Sequence, residues 1–369
     1  VMTDSVAGEA DNVLARALKS GGNSPSLIAG DMAELGPGAT LLDVNPVLRD
    51  LGAATKQTSD DALATIEGAL IGRQLGAKER VVSALEDAAN IKEVRVRTPG
   101  LDNKIEGLSG RVSEAYDAAR AVNIPKTPEL EQILTTPHAQ AHMREVVKNW
   151  QSSKLTDVNP FEGEAIPLEA LDMLKKQLNE GSKALGLPGA STVAKNNASS
   201  INDVASMMVD RVDQLTDKYA PARALSQKQI GMRNALNFGR ETAKRSPESV
   251  QLAEEGMKGL RPREQVAAKA GMLESIINRD LGGRGQRTGD VAGKIYDAPG
   301  DNVASRRLRL LASDDDAYDA LESKLLAERQ FNETQKYLTN RTGSRTAPFE
   351  SATERAADAG GLLTQAAGA

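Results

Sequence analysis

The chain has 369 residues, of which 46 are basic and 51 acidic, so that its formal net charge at pH 7 is -5. Because the chain has no cysteine and only two histidines, a disulfide framework, a thiolate metal site and a histidine-rich metal site are excluded. The acidic net charge argues against a dedicated nucleic-acid-binding protein. Because only 3% of the residues are aromatic, the predicted core is built from alanine, leucine, valine, isoleucine and methionine.

Neither a signal peptide nor a membrane span is predicted. Residues 1–20 lack a basic start followed by an apolar run. No window contains the run of about 18 apolar residues that a helix needs to cross a bilayer. We therefore expect a soluble chain. The start on Val1 and the small-residue stretch at 360–369 also lead us to expect a segment of a longer protein.

Apolar residues recur at helical spacing along almost the whole chain, and residues 94–97 (VRVR) are the clearest strand-like fragment. One narrow stripe within 167–186 consists of Leu168, Leu171, Leu174 and Leu178. A second stripe, predicted to lie on one longer helix, consists of Ile201, Val204, Met208, Val212, Leu215 and Tyr219. Such stripes are typical of helices that pack on helices. Both a core within one chain and a seam between subunits fit them.

Several predicted helices begin with a recognisable capping sequence. Thr127 and Ser246 are each followed by proline, which suits the first helical position because no backbone donor is needed there. The acidic clusters at 59–61 and 313–316 place negative charge where the helix dipole favours it.

Proline, glycine, asparagine and aspartate interrupt the helical pattern near 98–101, 153–166 and 282–300. These interruptions predict four regions: an N-terminal helical region (1–100), middle helices (101–165), a long-helix bundle (166–282) and a C-terminal helical region with a tail (283–369). No repeat of fixed period supports a regular solenoid. We predict an all-α fold, an elongated and irregular multi-helix array without a significant β-sheet.

A histidine pair is the only candidate metal motif. His138 and His142 lie four residues apart, with Glu145 one turn further on. A zinc-protease helix requires glutamate directly after the first histidine, and Ala139 occupies that position. We therefore expect two surface histidines rather than a metal site.

Two Glu-Ser pairs invite comparison with lytic transglycosylases, in which the catalytic glutamate precedes a serine and, further on, a Gly-Leu-Met-Gln phrase. These pairs are Glu274-Ser275 and Glu350-Ser351, and residues 361–365 read GLLTQ. The methionine is missing, the glycine lies too close to Glu350, and too little chain remains to form a cleft around an acid. We expect ordinary surface glutamates.

Basic residues are concentrated between residues 256 and 311, where eleven Lys or Arg face six Asp or Glu. The glycine-rich loop 281–290 lacks a preceding strand and the phosphate-loop spacing, so we predict a flexible loop. The candidate contacts to nucleic acid or to a protein partner are Arg284, Arg287, Arg306, Arg307 and Arg309. A solvated helix face is the alternative, because few aromatic residues are interleaved.

Several short phrases follow one another along the chain: 36–40 (GPGAT), 45–49 (NPVLR), 73–76 (RQLG), 127–130 (TPEL), the helix at 168–180, 219–223 (YAPAR), 235–240 (ALNFGR), Phe331 and 342–348 (TGSRTAP). In this order they resemble a helical region of the large internal virion proteins of tailed bacteriophages and their prophage relatives. The similarity covers nearly the whole chain.

The resemblance implies an ejection or pilot protein. Such a protein lies in the virion interior along the capsid, portal and tail axis, leaves with the genome, and helps to form a conduit across the host envelope and periplasm. The implied partners are further copies of the chain, portal, tail or other internal virion proteins, genomic DNA and, transiently, the host envelope. No catalytic motif of the family has matching positions here.

We therefore predict a phage structural protein that is not an enzyme and has no catalytic residues, cofactor or metal. Two alternatives stay open. One is a fragment of a peptidoglycan-degrading, lytic transglycosylase-like virion enzyme, and the other is a capsid core protein that contacts DNA.

Overall fold

The structure, a computed structural model, describes residues 24–58, 60–91, 100–282, 290–296 and 302–340. It confirms the all-α multi-helix class, since helices make up most of the described residues and the sheet found among them has two short strands. The chain divides into two compact units. Unit 1 comprises residues 1–100 and 234–369, and unit 2 comprises residues 101–233.

The described elements follow in chain order. They are α1 (Pro25–Leu35), α2 (Leu41–Val44), α3 (Pro46–Thr58), α4 (Asp60–Leu75), α5 (Ala77–Ala88), α6 (Gly100–Arg120), β1 (Asn123–Pro125), α7 (Pro128–Leu134), α8 (Pro137–Lys154), β2 (Ala165–Pro167), α9 (Leu168–Leu185), α10 (Thr192–Leu215), α11 (Tyr219–Thr242), α12 (Pro247–Lys258), α13 (Pro262–Asp280), α14 (Asn302–Leu311) and α15 (Asp315–Asn340). The four regions predicted from the sequence follow chain order and stay a prediction. The grouping of both ends of the chain in unit 1 was not predicted.

The capping sequences begin helices as predicted. The Thr127 hydroxyl accepts a hydrogen bond from the Leu130 amide at 3.4 Å, at the start of α7. The Ser246 hydroxyl accepts from the Ser249 amide at 3.2 Å, at the start of α12. Ahead of α15, the Asp314 carboxylate accepts from the Ala317 amide at 2.8 Å. These bonds satisfy amide donors that have no partner within the helix.

The core of unit 1 lies between α5, α13, α14, α15 and the turn at 291–296. It consists mainly of aliphatic side chains and includes two tyrosines, Tyr296 and Tyr318. Helices α11 and α13 also approach each other closely within this unit. A Cβ atom on Gly239 would lie 1.9 Å from the Ala268 carbonyl oxygen, and one on Gly271 would lie 2.1 Å from the Leu236 carbonyl oxygen. Glycine at these positions therefore allows backbone to touch backbone.

The core of unit 2 draws on α6 to α10 and the start of α11. Both apolar stripes predicted from the sequence face this core. Leu168, Leu171, Leu174 and Leu178 of α9 are buried, as are the stripe residues of α10 except Leu215, which is partly buried. The single long helix predicted to reach Tyr219 is wrong. Helix α10 ends at Leu215, Thr216 has an extended backbone with φ -151° and ψ 140°, and Tyr219 begins α11.

A short antiparallel pair of strands, which the sequence did not predict, also belongs to unit 2. Ile124 of β1 lies opposite Ile166 of β2, and both side chains are fully buried. The strand-like fragment 94–97 lies outside the described residues. No helix within the described ranges is long and apolar enough to cross a membrane.

Candidate functional site

Two of the sequence phrases that carry the resemblance, 36–40 and 73–76, meet Phe331 at one arginine of unit 1. Arg73 of α4 donates to the Gly38 carbonyl oxygen at 3.2 Å and to the Asp43 carboxylate at 2.6 Å. It also donates to the Phe331 carbonyl oxygen at 3.2 Å, and its guanidinium carbon lies 4.4 Å from the centre of the Phe331 ring. We call Gly38, Asp43, Arg73 and Phe331 the Arg73 node. It joins the loop after α1 to α2, α4 and α15.

The chain around the node is held by further polar contacts. The buried Asp43 carboxylate accepts from the Thr40 amide at 2.7 Å and the Thr40 hydroxyl at 2.8 Å. The Asn45 side chain accepts from the Val47 and Leu48 amides at 2.9 and 3.1 Å. Arg49 donates to the Asp43 carbonyl oxygen at 3.0 Å. Thus Asp43, together with polar groups of the phrases 36–40, 45–49 and 73–76, fixes this corner of unit 1.

A groove of about 380 Å³ lies beside the node, between the end of α1, the loop 36–38, α5 and α15. Leu35, Pro37, Val81, Leu325 and Phe331 form much of its apolar wall. Arg80 donates to the Glu328 carboxylate through two guanidinium nitrogens, with the Nη2–Oε2 distance 2.9 Å.

The lining of this groove combines charged and apolar side chains. Its charged lining residues are Glu34, Arg80, Lys324 and Glu328, and Arg80 and Glu328 are paired with each other. The lining contains serine but no histidine, so that no nucleophile stands beside an imidazole base. A mainly apolar wall with paired charges suits an apolar side chain of another segment.

The basic residues predicted as contacts fall into different environments. Arg306 is exposed and forms an ion pair with Glu254, with an Nε–Oε1 distance of 2.8 Å. Arg309 is exposed, and its guanidinium carbon lies 4.6 Å from the centre of the Tyr318 ring. Arg284 and Arg287 lie outside the described residues.

Arg307 does not lie at the surface, so its predicted role as a contact requires correction. Its side chain is fully buried, 3.0 Å from the Asp280 carboxylate and 3.1 Å from the Ala243 carbonyl oxygen. The sequence carries a signal for this burial. Arg307 follows Ala304 by three residues and precedes Leu311 by four, which places it on the apolar face of α14. Arg307 therefore belongs to the core of unit 1.

The histidine pair lies on α8 in unit 2, and both side chains are half-buried. The His142 ring packs on Gly181 of α9, so that a Cβ atom there would lie 2.6 Å from the ring. Burial, and then the neighbouring His138, lower the pKa of His142. Among the described residues, no group of three or more acidic or histidine side chains is placed to hold a metal ion.

The lowered pKa of His142 predicts that stability depends on pH. The unfolded chain takes up a proton near the ordinary histidine pKa of about 6.5, whereas the folded chain does so at lower pH. The contribution of His142 is therefore fully present above pH 6.5 and is lost as the pH falls through the lower, folded pKa. We expect the urea midpoint of the unchanged chain to decrease as the pH is lowered from 7.5 to 5. The midpoint of the His142→Gln variant is expected to decrease less. An equal fall in the variant would contradict this assignment. His138→Gln, which removes only the smaller cause of the lowered pKa, is expected to lessen the fall by a smaller amount.

Glu274 of the Glu274-Ser275 sequence forms an ion pair with Arg240 in unit 1. Arg240 donates to the Glu274 carboxylate from Nε at 3.0 Å and from Nη2 at 2.7 Å. This arrangement joins α11 to α13. Glu350, Ser351 and residues 361–365 lie outside the described residues.

One polar cluster in unit 2 was missed from the sequence. Buried Asp172 of α9 accepts hydrogen bonds from the Tyr219 hydroxyl at 2.7 Å and from Lys175 and Lys176 at 2.8 Å each. Burial raises the pKa of Asp172, but the bonds from the two lysines and Tyr219 outweigh it and lower the pKa. The available signal was an aspartate next to Leu171 in the leucine stripe. The cluster holds the start of α11 against α9.

No protein-family model, no curated protein and no solved structure matches the chain.

Proposed function

We propose that this chain is a helical structural protein of the interior of a tailed-bacteriophage virion. It packs through helix faces against copies of itself and against portal, tail or other internal virion proteins. It leaves with the genome, or guides it, as part of a conduit across the host envelope and periplasm. The chain contributes shape and contacts, with no reaction of its own.

The observation that supports this proposal is the Arg73 node. The phrases at 36–40, 45–49 and 73–76 and the residue Phe331 carry the resemblance, and they meet in one hydrogen-bonded corner of unit 1. Alanine-rich helices alone give no reason for these separate phrases to meet. Residues that jointly hold one corner are of the kind that a shared fold would require, and this supports the proposal.

The composition of the cores also suits this role. Alanine is frequent in the buried sets of both units, and aromatic residues make up only 3% of the chain. Small side chains bury less apolar area per contact, so that packed helices separate at a lower cost in free energy. A chain that has to pass a narrow channel benefits from this property. The absence of cysteine avoids mispairing in an oxidising compartment.

Mass spectrometry of purified particles tests the proposal. Particles of the phage that encodes this chain are analysed intact and after triggered genome release, with the major capsid protein as the internal standard. We expect the chain in intact particles and its depletion from emptied shells. Its absence from intact particles would overturn the proposal, and its full retention in emptied shells would overturn the ejection step.

Experiments on the purified chain test the structural role directly. Light scattering after size-exclusion chromatography is expected to show a homo-oligomer at micromolar concentration. A zymogram with purified peptidoglycan is expected to show no clearing. Clearing would favour the lytic transglycosylase-like alternative over a structural protein.

A further inference from the structure

The turn between α9 and α10 in unit 2 presents apolar side chains to solvent. The exposed fraction is 60% for Leu187 and 70% for Val193, and Leu185 is also exposed. We call residues 184–194 (ALGLPGASTVA) the hairpin tip, and none of these eleven residues carries a charge. Single exposed apolar residues are normal on a protein surface, whereas three on one short turn call for an explanation.

The two ends of the hairpin tip are held by hydrogen bonds. The Gly186 amide donates to the Ser182 carbonyl oxygen at 2.9 Å, where α9 ends. The Ser191 hydroxyl accepts from the Ala194 amide at 3.2 Å, where α10 begins. Behind the tip, the buried Ser182 hydroxyl donates to the Ala198 carbonyl oxygen at 2.9 Å and joins the two helices. The apolar side chains are therefore carried by a fixed turn, so that little backbone freedom is lost when they are buried by a partner.

Lysines flank the hairpin tip on both helices. Lys183 lies in the last turn of α9 and Lys195 in the first turn of α10, and both side chains are exposed. In the part of the chain that the structure describes, neither lysine has an ion-pair partner. The nearest acidic residues along the sequence are Glu180 and Asp203. Four residues of helix rise by about 6 Å, so that both lysines lie roughly this far behind the turn.

A second exposed apolar loop of unit 2 has the opposite charge. Leu155 and Val158, which follow α8, are 93% and 63% exposed. Asp157, Glu162 and Glu164 of the same loop are also exposed, and no lysine or arginine lies between residues 155 and 164. An anionic surface therefore repels this loop and attracts the hairpin tip. The two loops form a matched pair, similar in apolar side chains and opposite in charge.

We propose that the hairpin tip inserts into the surface of an anionic lipid bilayer. Interfacial protein segments bury their apolar side chains about 5–10 Å deep, at the boundary between headgroups and acyl chains. At that depth Leu187 and Val193 leave water, while Lys183 and Lys195 reach the phosphate groups of the lipids. That this bilayer belongs to the host envelope rests on the proposed function; the affinity for anionic lipid does not.

The order of apolar and charged residues favours a bilayer over a protein partner. A helix that packs on another protein presents an apolar stripe along its side. At this hairpin the apolar residues lie at the end of a helix pair, and the charge begins behind them on both helices at Lys183 and Lys195. Polarity therefore changes along the hairpin, as it does across a bilayer interface from acyl chains to headgroups.

Flotation of the full chain with lipid vesicles tests the proposal. The anionic vesicles contain equimolar phosphatidylglycerol and phosphatidylethanolamine, and vesicles of phosphatidylcholine provide the uncharged comparison. The attraction of two lysines to an anionic surface corresponds to roughly 30-fold in affinity. We therefore expect the chain to bind the anionic vesicles more tightly by about this factor, and the difference to shrink at high salt.

Two double variants assign the binding to the hairpin tip. The test variant is Leu187→Gln with Val193→Gln, and the matched control is Leu155→Gln with Val158→Gln. All four side chains are exposed, so that both variants are expected to keep the fold, which circular dichroism verifies. At about tenfold for each apolar side chain, the test variant is expected to bind anionic vesicles about 100-fold more weakly. The control is expected to bind like the unchanged chain.

A fluorescent probe distinguishes insertion from adsorption. Because the chain has no cysteine, Val193→Cys provides one site for an environment-sensitive fluorophore. We expect its emission to shift to shorter wavelength on anionic vesicles and to be quenched by nitroxide-labelled lipid. The same fluorophore at Val158→Cys is expected to show neither effect. A vesicle-bound chain without a shift at Val193 would overturn insertion of the hairpin tip.

Each remaining result decides between the proposals. No binding of the unchanged chain to anionic vesicles, or equal losses in the two double variants, would overturn the bilayer surface. A test variant that loses self-association but keeps vesicle binding would assign the hairpin tip to contacts between copies and would overturn it as well. A particle-borne chain that binds no vesicles would overturn this inference alone. Vesicle binding through the hairpin tip by a chain absent from particles would overturn the proposed function alone.

Discussion

Replacing Arg73 by alanine is expected to lower the free energy of unfolding by about 3–5 kcal/mol, as for other buried pairs that lose one partner. The change leaves the Asp43 carboxylate, whose side chain is fully buried, without its cation. It also removes the bonds to the Gly38 and Phe331 carbonyl oxygens. Chemical denaturation followed by circular dichroism measures the effect.

Two further variants make this prediction specific. Arg111→Ala, at an exposed position of α6, is expected to change the free energy of unfolding by less than about 0.5 kcal/mol. Asp43→Ala combined with Arg73→Ala is expected to cost less than the sum of the two single changes, because the double variant leaves neither member of the pair behind as a buried, unpaired charge. Additive costs would show that Arg73 and Asp43 do not act as a pair.

Gly239→Ala is expected to destabilise unit 1 by about 1–3 kcal/mol, as overpacking does. The new methyl group would lie 1.9 Å from the Ala268 carbonyl oxygen and 2.7 Å from its carbonyl carbon. Both atoms belong to the backbone of α13, so that α11 and α13 have to move apart. Gly271→Ala meets the Leu236 carbonyl oxygen from the other helix and is expected to act similarly. The denaturation midpoint is the measurement.

Gly72→Ala is the matched control in the same unit. Gly72 lies on α4, is exposed, and a Cβ atom there would have no neighbour within 4 Å. Because alanine has a higher helix propensity than glycine, this change is expected to stabilise the chain by about 0.5–1 kcal/mol. A stabilising effect of Gly239→Ala would contradict the close crossing of α11 and α13.

The sequence predicts local structure well where side chains carry the signal. The stripe with Leu171 and Leu174 shows the period of a helix that is buried on one side, and the caps at Thr127 and Ser246 mark helix starts. The break after Leu215 was missed because the apolar period continues through to Tyr219, although Thr216 leaves the helix. The short pairing of Ile124 with Ile166 depends on residues far apart in the chain, which a local pattern does not contain.

The site could be predicted only in part, because its chemistry depends on long-range packing. The phrases around Gly38 and Arg73 can be read from the sequence, but their contact with Phe331 depends on the fold of unit 1. The charge of Arg307 predicts a surface position, although its spacing to Leu311 indicates a buried helix face.

The division of unit 1 between two segments of the chain has a consequence for synthesis on the ribosome. Val81 and Leu85 of α5 pack in the same core as Ile276 of α13 and Leu325 of α15. Unit 2 is continuous in sequence and lies between the two segments of unit 1. It therefore emerges from the ribosome before α13 and α15 have been synthesised. At roughly 5–20 residues per second, the apolar face of α5 waits for about 10 to 50 seconds. During this interval the exposed apolar face of α5 is a binding site for chaperones. Nascent copies on adjacent ribosomes are then close enough to exchange segments.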